Sequence, residues 1–163
     1  MLDKAAIIRG RGEFVGVSMK VISGYVLAVL VAYIAGALFV SQGNIAAVTA
    51  MGFEVSIGQR FDAMLHDVTH MYDIYLVLIA IGLLIALPTA GLIIRRFPDL
   101  RLVGYVSAGF VAMLAIHVIL KAVLGLSGIA PTREIAGLLA QGLAGAIGGF
   151  VFHYVTNRRV VPE

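Results

Sequence analysis

The stretch IYLVLIAIGLLIALPTAGLII, residues 74–94, runs for 21 residues without a charged side chain. As a helix rising about 1.5 Å per residue it covers about 30 Å, the thickness of a bilayer's hydrocarbon core. Three more stretches share this character, at about residues 21–41, 102–126 and 135–155. Backbone polar groups in lipid must be satisfied within the segment, so each stretch is expected to be a helix. Composition points the same way. Of 163 residues, 61% are hydrophobic and only 13% charged, and the mean hydropathy is +1.02. Soluble domains carry about 45–50% apolar and about 25% charged residues. The chain therefore reads as an all-α integral membrane protein: one membrane domain over residues 1–163, a four-transmembrane-helix bundle.

Lys and Arg set the expected direction. Nine of them (Lys4, Arg9, Arg11, Lys20, Arg95, Arg96, Arg101, Arg158 and Arg159) fall in segment 1–20, in the connection between the second and third spans, and in tail 156–163. Three, Arg60, Lys121 and Arg133, fall on the other side or near it. This bias places both termini in the cytoplasm, with the chain multi-pass in the cell (inner) membrane. Segment 1–20 has four basic residues and no long apolar core, so the first span is read as retained rather than cleaved.

The connections differ in length. Those between spans two and three and between spans three and four are short and make antiparallel neighbours, with Thr132 expected to cap the last helix. The first connection is long, about residues 42–73. Within it Ile57, Phe61, Met64, Leu65, Val68 and Met71 fall on one helical stripe behind a capping Ser56. Residues 56–71 are thus expected to form an amphipathic helix on the outer membrane surface or over the bundle mouth. Residues 42–55 are expected to be a loop or a short re-entrant element. GYVLAVLVAYIA from Gly24 and GYVSAGFVAMLA from Gly104 agree at seven of twelve positions, which suggests a duplicated hairpin.

Polar residues inside such a chain ask for an explanation, because an ionisable group in a bilayer costs about 2.5–3.5 kcal/mol on insertion scales. Counting from the outer ends of their spans, Lys121 lies about 8 Å deep, Gln141 about 9 Å and His117 about 14 Å. With Asp73 at the outer end of span two, these four define a candidate pocket for a polar ligand or ion in the outer half of the bundle. The bland alternative is a set of interhelical hydrogen bonds. Asp62, His66 and His70 recur one helical turn apart and could share a metal ion at the outer face, or form the wet side of an interfacial helix. No cofactor is identified. Haem between His117 and His153 is disfavoured by an axial separation of roughly 15 Å.

Gly137, Gln141, Gly145 and Gly149 recur every fourth residue in span four, and Ala140, Ala144 and Gly148 run beside them. Small-residue rows let helices approach closely in lipid, so this stripe is expected to pack the bundle, a second copy or another membrane protein. Pro88 is expected to kink span two or act as its hinge. The arginines are assigned to anionic head groups at the inner face and not to nucleic acid.

The chain has no cysteine, which excludes disulfides, thiolate metal sites and cysteine nucleophiles. No nucleotide loop, nucleophile motif or paired catalytic carboxylates appear. Three functions follow in order. The first is a transport or channel-like protein using the outer pocket. The second is a non-catalytic accessory subunit packing through span four. The third is a metal or cofactor protein using His66, His70 and His117.

Overall fold

The computed structural model describes residues 4–125 and 130–157, with side chains from Met19 onward except that of Leu124. All regular structure there is helical. α1 spans Lys4–Ala50, α2 Ile57–His70, α3 Val77–Ile94, α4 Arg101–Leu124 and α5 Ile135–Thr156. A π-helical turn, Tyr72–Leu76, leads into α3, and 3₁₀ turns Pro98–Leu100 and Ala130–Arg133 precede α4 and α5. Four helical segments are long and apolar enough to cross a membrane: Met19–Ala50, Tyr72–Ile94, Pro98–Val123 and Ile135–Thr156.

α1 departs most from the sequence expectation. It is one helix of 47 residues, about 70 Å long, and absorbs both the basic N-terminal segment and much of the expected loop. Ala46, Ala47 and Ala50 sustain helix at no side-chain cost, and Ile45 is buried, which holds that stretch on the bundle. The helix stops at Gly52, whose φ of +89° suits a glycine and few other residues.

α2 forms where its stripe was expected. Ser56 accepts a hydrogen bond from the Gln59 amide at 3.3 Å, and Gln59 Oε1 accepts one from the Ser56 amide at 2.8 Å, a complete capping box. The stripe is divided. Val68 and Met71 pack on the core, whereas Ile57, Phe61 and Leu65 form an exposed apolar row.

α5 lies along both α1 and α4, while α3 packs on α4 and touches α1 only lightly. The two hairpins are therefore not equivalent: α4 and α5 are closely packed, α1 and α3 are not. The core is a row from α3 (Ile79, Leu83, Leu87) against Ala28 and Ala32 of α1 and Met113 of α4. Glycines of α5 make the tight approaches. Gly145 meets Gly109, Gly149 meets the Tyr105 carbonyl, and a Cβ on Gly148 would stand 2.9 Å from the Ala28 carbonyl and the Ala32 methyl. Gly137 abuts the Pro131 carbonyl. The small-residue rows are thus occupied within the chain. Apart from Ala136, what α5 leaves exposed is bulky: Ile135, Leu139, Leu143, Phe150 and Tyr154.

One local expectation changes. Thr132 is not the cap of α5. It is buried in the preceding 3₁₀ turn, and Glu134 stands at the N-cap with extended backbone and no side-chain cap bond. α3 continues through Pro88, where the Thr89 hydroxyl donates to the Ile85 carbonyl at 2.7 Å.

Candidate functional site

The buried polar side chains gather toward the α2 end of the bundle. Gln141 of α5 is 1% exposed and joins three helical segments. Its Nε2 donates to the Gly36 carbonyl of α1 at 3.2 Å, and its Oε1 accepts a hydrogen bond from the Tyr75 hydroxyl. Gly36 is required there, because a Cβ would overlap the Tyr75 hydroxyl. Tyr75 sits in the π-helical turn, where one extra residue per turn shifts the helix face. Tyr75 lies one turn before Ile79 on the buried face and points inward, while Asp73, two residues earlier and about half a turn around, is exposed. The Tyr75 ring lies 5.9 Å from that of Tyr33 and 6.4 Å from the imidazole of His117, edge to face with the latter. Tyr33 in turn donates to the Val68 carbonyl at 2.6 Å and so ties α1 to α2.

His117 is 6% exposed. Its Nδ1 stands 2.8 Å from the Met113 carbonyl, which can only accept, so Nδ1 carries a hydrogen. Its Nε2 is buried and has no partner. Ser41 Oγ and Gln42 Nε2 on α1 are also buried without partners, while Gln42 Oε1 accepts from Arg60 Nη1 of α2 at 3.4 Å. Buried polar atoms are nearly always paired, so three unpaired ones in this half of the bundle mark a place where the fold is poorly satisfied.

Of the four residues expected to share a pocket, His117 and Gln141 both belong to this cluster; Asp73 and Lys121 do not, being exposed. Successive residues four apart drift by about 40° around a helix, and Lys121 lies in the last turn of α4, so the face that buries His117 no longer covers it. Tyr33, Tyr75 and Ser41 were not anticipated. Tyr33 lies in the middle of span one, and a tyrosine at that depth must find a hydrogen-bond partner, which is the signal that could have found it.

On α2, the His66 and His70 rings stack at 4.2 Å, and both residues are exposed. His70 Nδ1 lies 2.9 Å from the His66 carbonyl, and His66 Nδ1 lies 3.5 Å from Asp67 Oδ1. Asp62 is exposed as well, and among the described residues no three His, Asp or Glu side chains are placed to hold a metal ion together.

Two open grooves lie elsewhere, each of about 740 Å³. One runs between α3 and α4 from Leu100 to Leu120 with no charged residue in its lining. The other opens between α1 and α3 at the opposite end, beside Arg95 and Arg101. Fold and site together define, among the described residues, an all-helical bundle with four helices long and apolar enough to cross a membrane and a polar seam near one end. Compared with known proteins, the chain matches no family model, no curated sequence and no solved structure.

Proposed function

We propose that the chain is a small multi-pass membrane protein of transport or channel type. It receives a small polar solute or ion at the cluster of Tyr33, Tyr75, His117 and Gln141, in the half of the bundle that the arginine bias assigns to the outside. The observation that carries this reading is His117: an imidazole deep in an apolar helix long enough to cross a membrane, fixed through Nδ1, with Nε2 buried and unpaired. A residue serving only to join helices would use both nitrogens, as Gln141 uses both ends of its amide. The π-helical turn beneath Tyr75 adds support, since such turns concentrate at functional sites. Purified protein in liposomes tests the reading. Proton entry is followed with an entrapped pH dye under a potassium–valinomycin clamp, and glycerol and urea entry by light scattering. At least one flux should exceed that of empty liposomes and vanish in His117→Ala, with the variant still monodisperse. Fluxes equal to those of empty liposomes, or unchanged in His117→Ala, overturn it.

A second reading, an accessory subunit, draws support from the α3–α4 groove. Its lining carries no charge and leaves Ile81, Ile85, Ile93, Val103 and Val111 exposed, an apolar face that suits a partner helix. On this reading the partner faces α3 and α4, because the glycine rows of α5 are occupied within the chain.

A further inference from the structure

We propose that the cleft between α1 and α3 at the Arg101 end is a lipid site. An anionic phosphate headgroup sits against Arg101 and Arg95, and an acyl chain lies along α3. The inference rests on the membrane-spanning reading and is independent of the His117 site at the other end.

Arg101 is the starting point. It is half-buried, and its Nη2 donates to both the carbonyl and the hydroxyl of Thr156, at 3.1 and 2.9 Å. Its guanidinium lies 5.3 Å from the centroid of the Tyr105 ring. The group is therefore held in one place, yet its Nε is buried without a partner. Among the described residues no carboxylate answers its charge: the one ion pair there joins His66 to Asp67, at the far end of the bundle. A cation partly withdrawn from water is costly unless an anion accompanies it. Guanidinium matches phosphate geometry better than ammonium does, and basic pockets between membrane helices are where anionic lipid head groups bind.

The cleft itself says which phosphate. Above Arg95 and Arg101 its walls are apolar, formed by Val21, Leu84, Leu87, Leu92 and Phe152. It follows α3 from Arg95 back to Leu84, about 16 Å. A free anion would leave that length empty, whereas an acyl chain fills it while its phosphate meets the arginines. The volume, about 740 Å³, is that of a small-molecule site. The α3–α4 groove is as large but has no charge at its rim, so it offers no headgroup preference.

Native mass spectrometry of the detergent-solubilised protein tests this with phosphatidylglycerol and phosphatidylcholine at equal concentration. Wild type should retain phosphatidylglycerol about tenfold better. Arg101→Gln should abolish the preference, and Arg95→Gln, an exposed position, should weaken it if the first variant does not fold. Gly91→Leu fills the acyl slot without touching charge. A Cβ there meets only the Tyr105 hydroxyl, at 3.5 Å, and this variant should lose phosphatidylglycerol while keeping its fold. Equal retention of both lipids by wild type, or retention in the folded arginine variants and Gly91→Leu at wild-type level, overturns the proposal. So does displacement of the lipid by millimolar inorganic phosphate, which would make the site one for a free anion.

Discussion

Gly109 of α4 and Gly145 of α5 meet backbone to backbone: a Cβ on either would fall within the carbonyl of the other. This contact sets the distance between the two helices, and Gly149 against Tyr105 repeats it one turn along. Because the obstacle is backbone, the helices must separate to admit even a methyl group. Gly145→Ala and Gly109→Ala should each cost about 1–3 kcal/mol despite alanine's better helix propensity. Gly91→Ala, which meets nothing closer than 3.5 Å, should be neutral or stabilising by up to about 1 kcal/mol. Thermal unfolding in detergent should therefore order the variants Gly91→Ala at or above wild type and both tight-contact variants below it.

The bond between Tyr75 and Gln141 invites a double-mutant cycle. Tyr75→Phe removes the donor and leaves the Gln141 oxygen buried and unpaired, so a loss of about 1–2 kcal/mol is expected. Gln141→Leu removes the bonds to Tyr75 and Gly36 together and should cost at least as much. The pair should couple favourably by about 0.6 kcal/mol, the mean for interhelical hydrogen bonds in membranes, and by no more than about 1.7 kcal/mol. A coupling near zero in reversible unfolding would mean that the two groups do not interact in the folded protein.

The spans were legible because uninterrupted apolarity over about 20 residues has few other readings. His117 and Gln141 were legible for a related reason, as polar groups too deep and too short to reach water. Tyr75 was not, since a tyrosine at the end of a span reads as an interfacial anchor. Its inward aim follows from lying one turn before Ile79 and Leu83 on the face of α3 that the bundle buries, and that face shows only once the partner helices are known. Asp73, placed in the pocket by its depth at the outer end of span two, is exposed because it lies about half a turn around the helix from Tyr75. The glycine rows of α5 were readable as packing, but their partners were not, because Gly109 stands alone on α4 without a matching stripe. The end of α1 was misjudged because Gly43 and Asn44 suggest a loop locally, while Ile45 and the packing of Gly43 on Pro131 hold the helix.

α2 is secured chiefly by its capping box and by Val68 and Met71, with no fully buried residue of its own. Ser56→Ala should cost about 1 kcal/mol, and the cost should stay local. Amide exchange over residues 57–62 should accelerate about fivefold in the variant. Exchange in α3 and α5 should not change. Acceleration throughout the bundle would show instead that α2 is needed for the fold as a whole.

The charge bias makes a prediction that a chain without cysteine is well suited to test. Glu54, between α1 and α2, and Asp99, between α3 and α4, are both exposed at opposite ends of the bundle. With the arginine-rich end in the cytoplasm, Glu54→Cys should react with a membrane-impermeant maleimide in intact spheroplasts. Asp99→Cys should react only after permeabilisation. The reverse pattern would invert the orientation and move the His117 cluster to the cytoplasmic half. Equal labelling of both before permeabilisation would refute a single orientation across the membrane. Neither substitution touches a buried contact, so the labelling pattern reads topology and not stability.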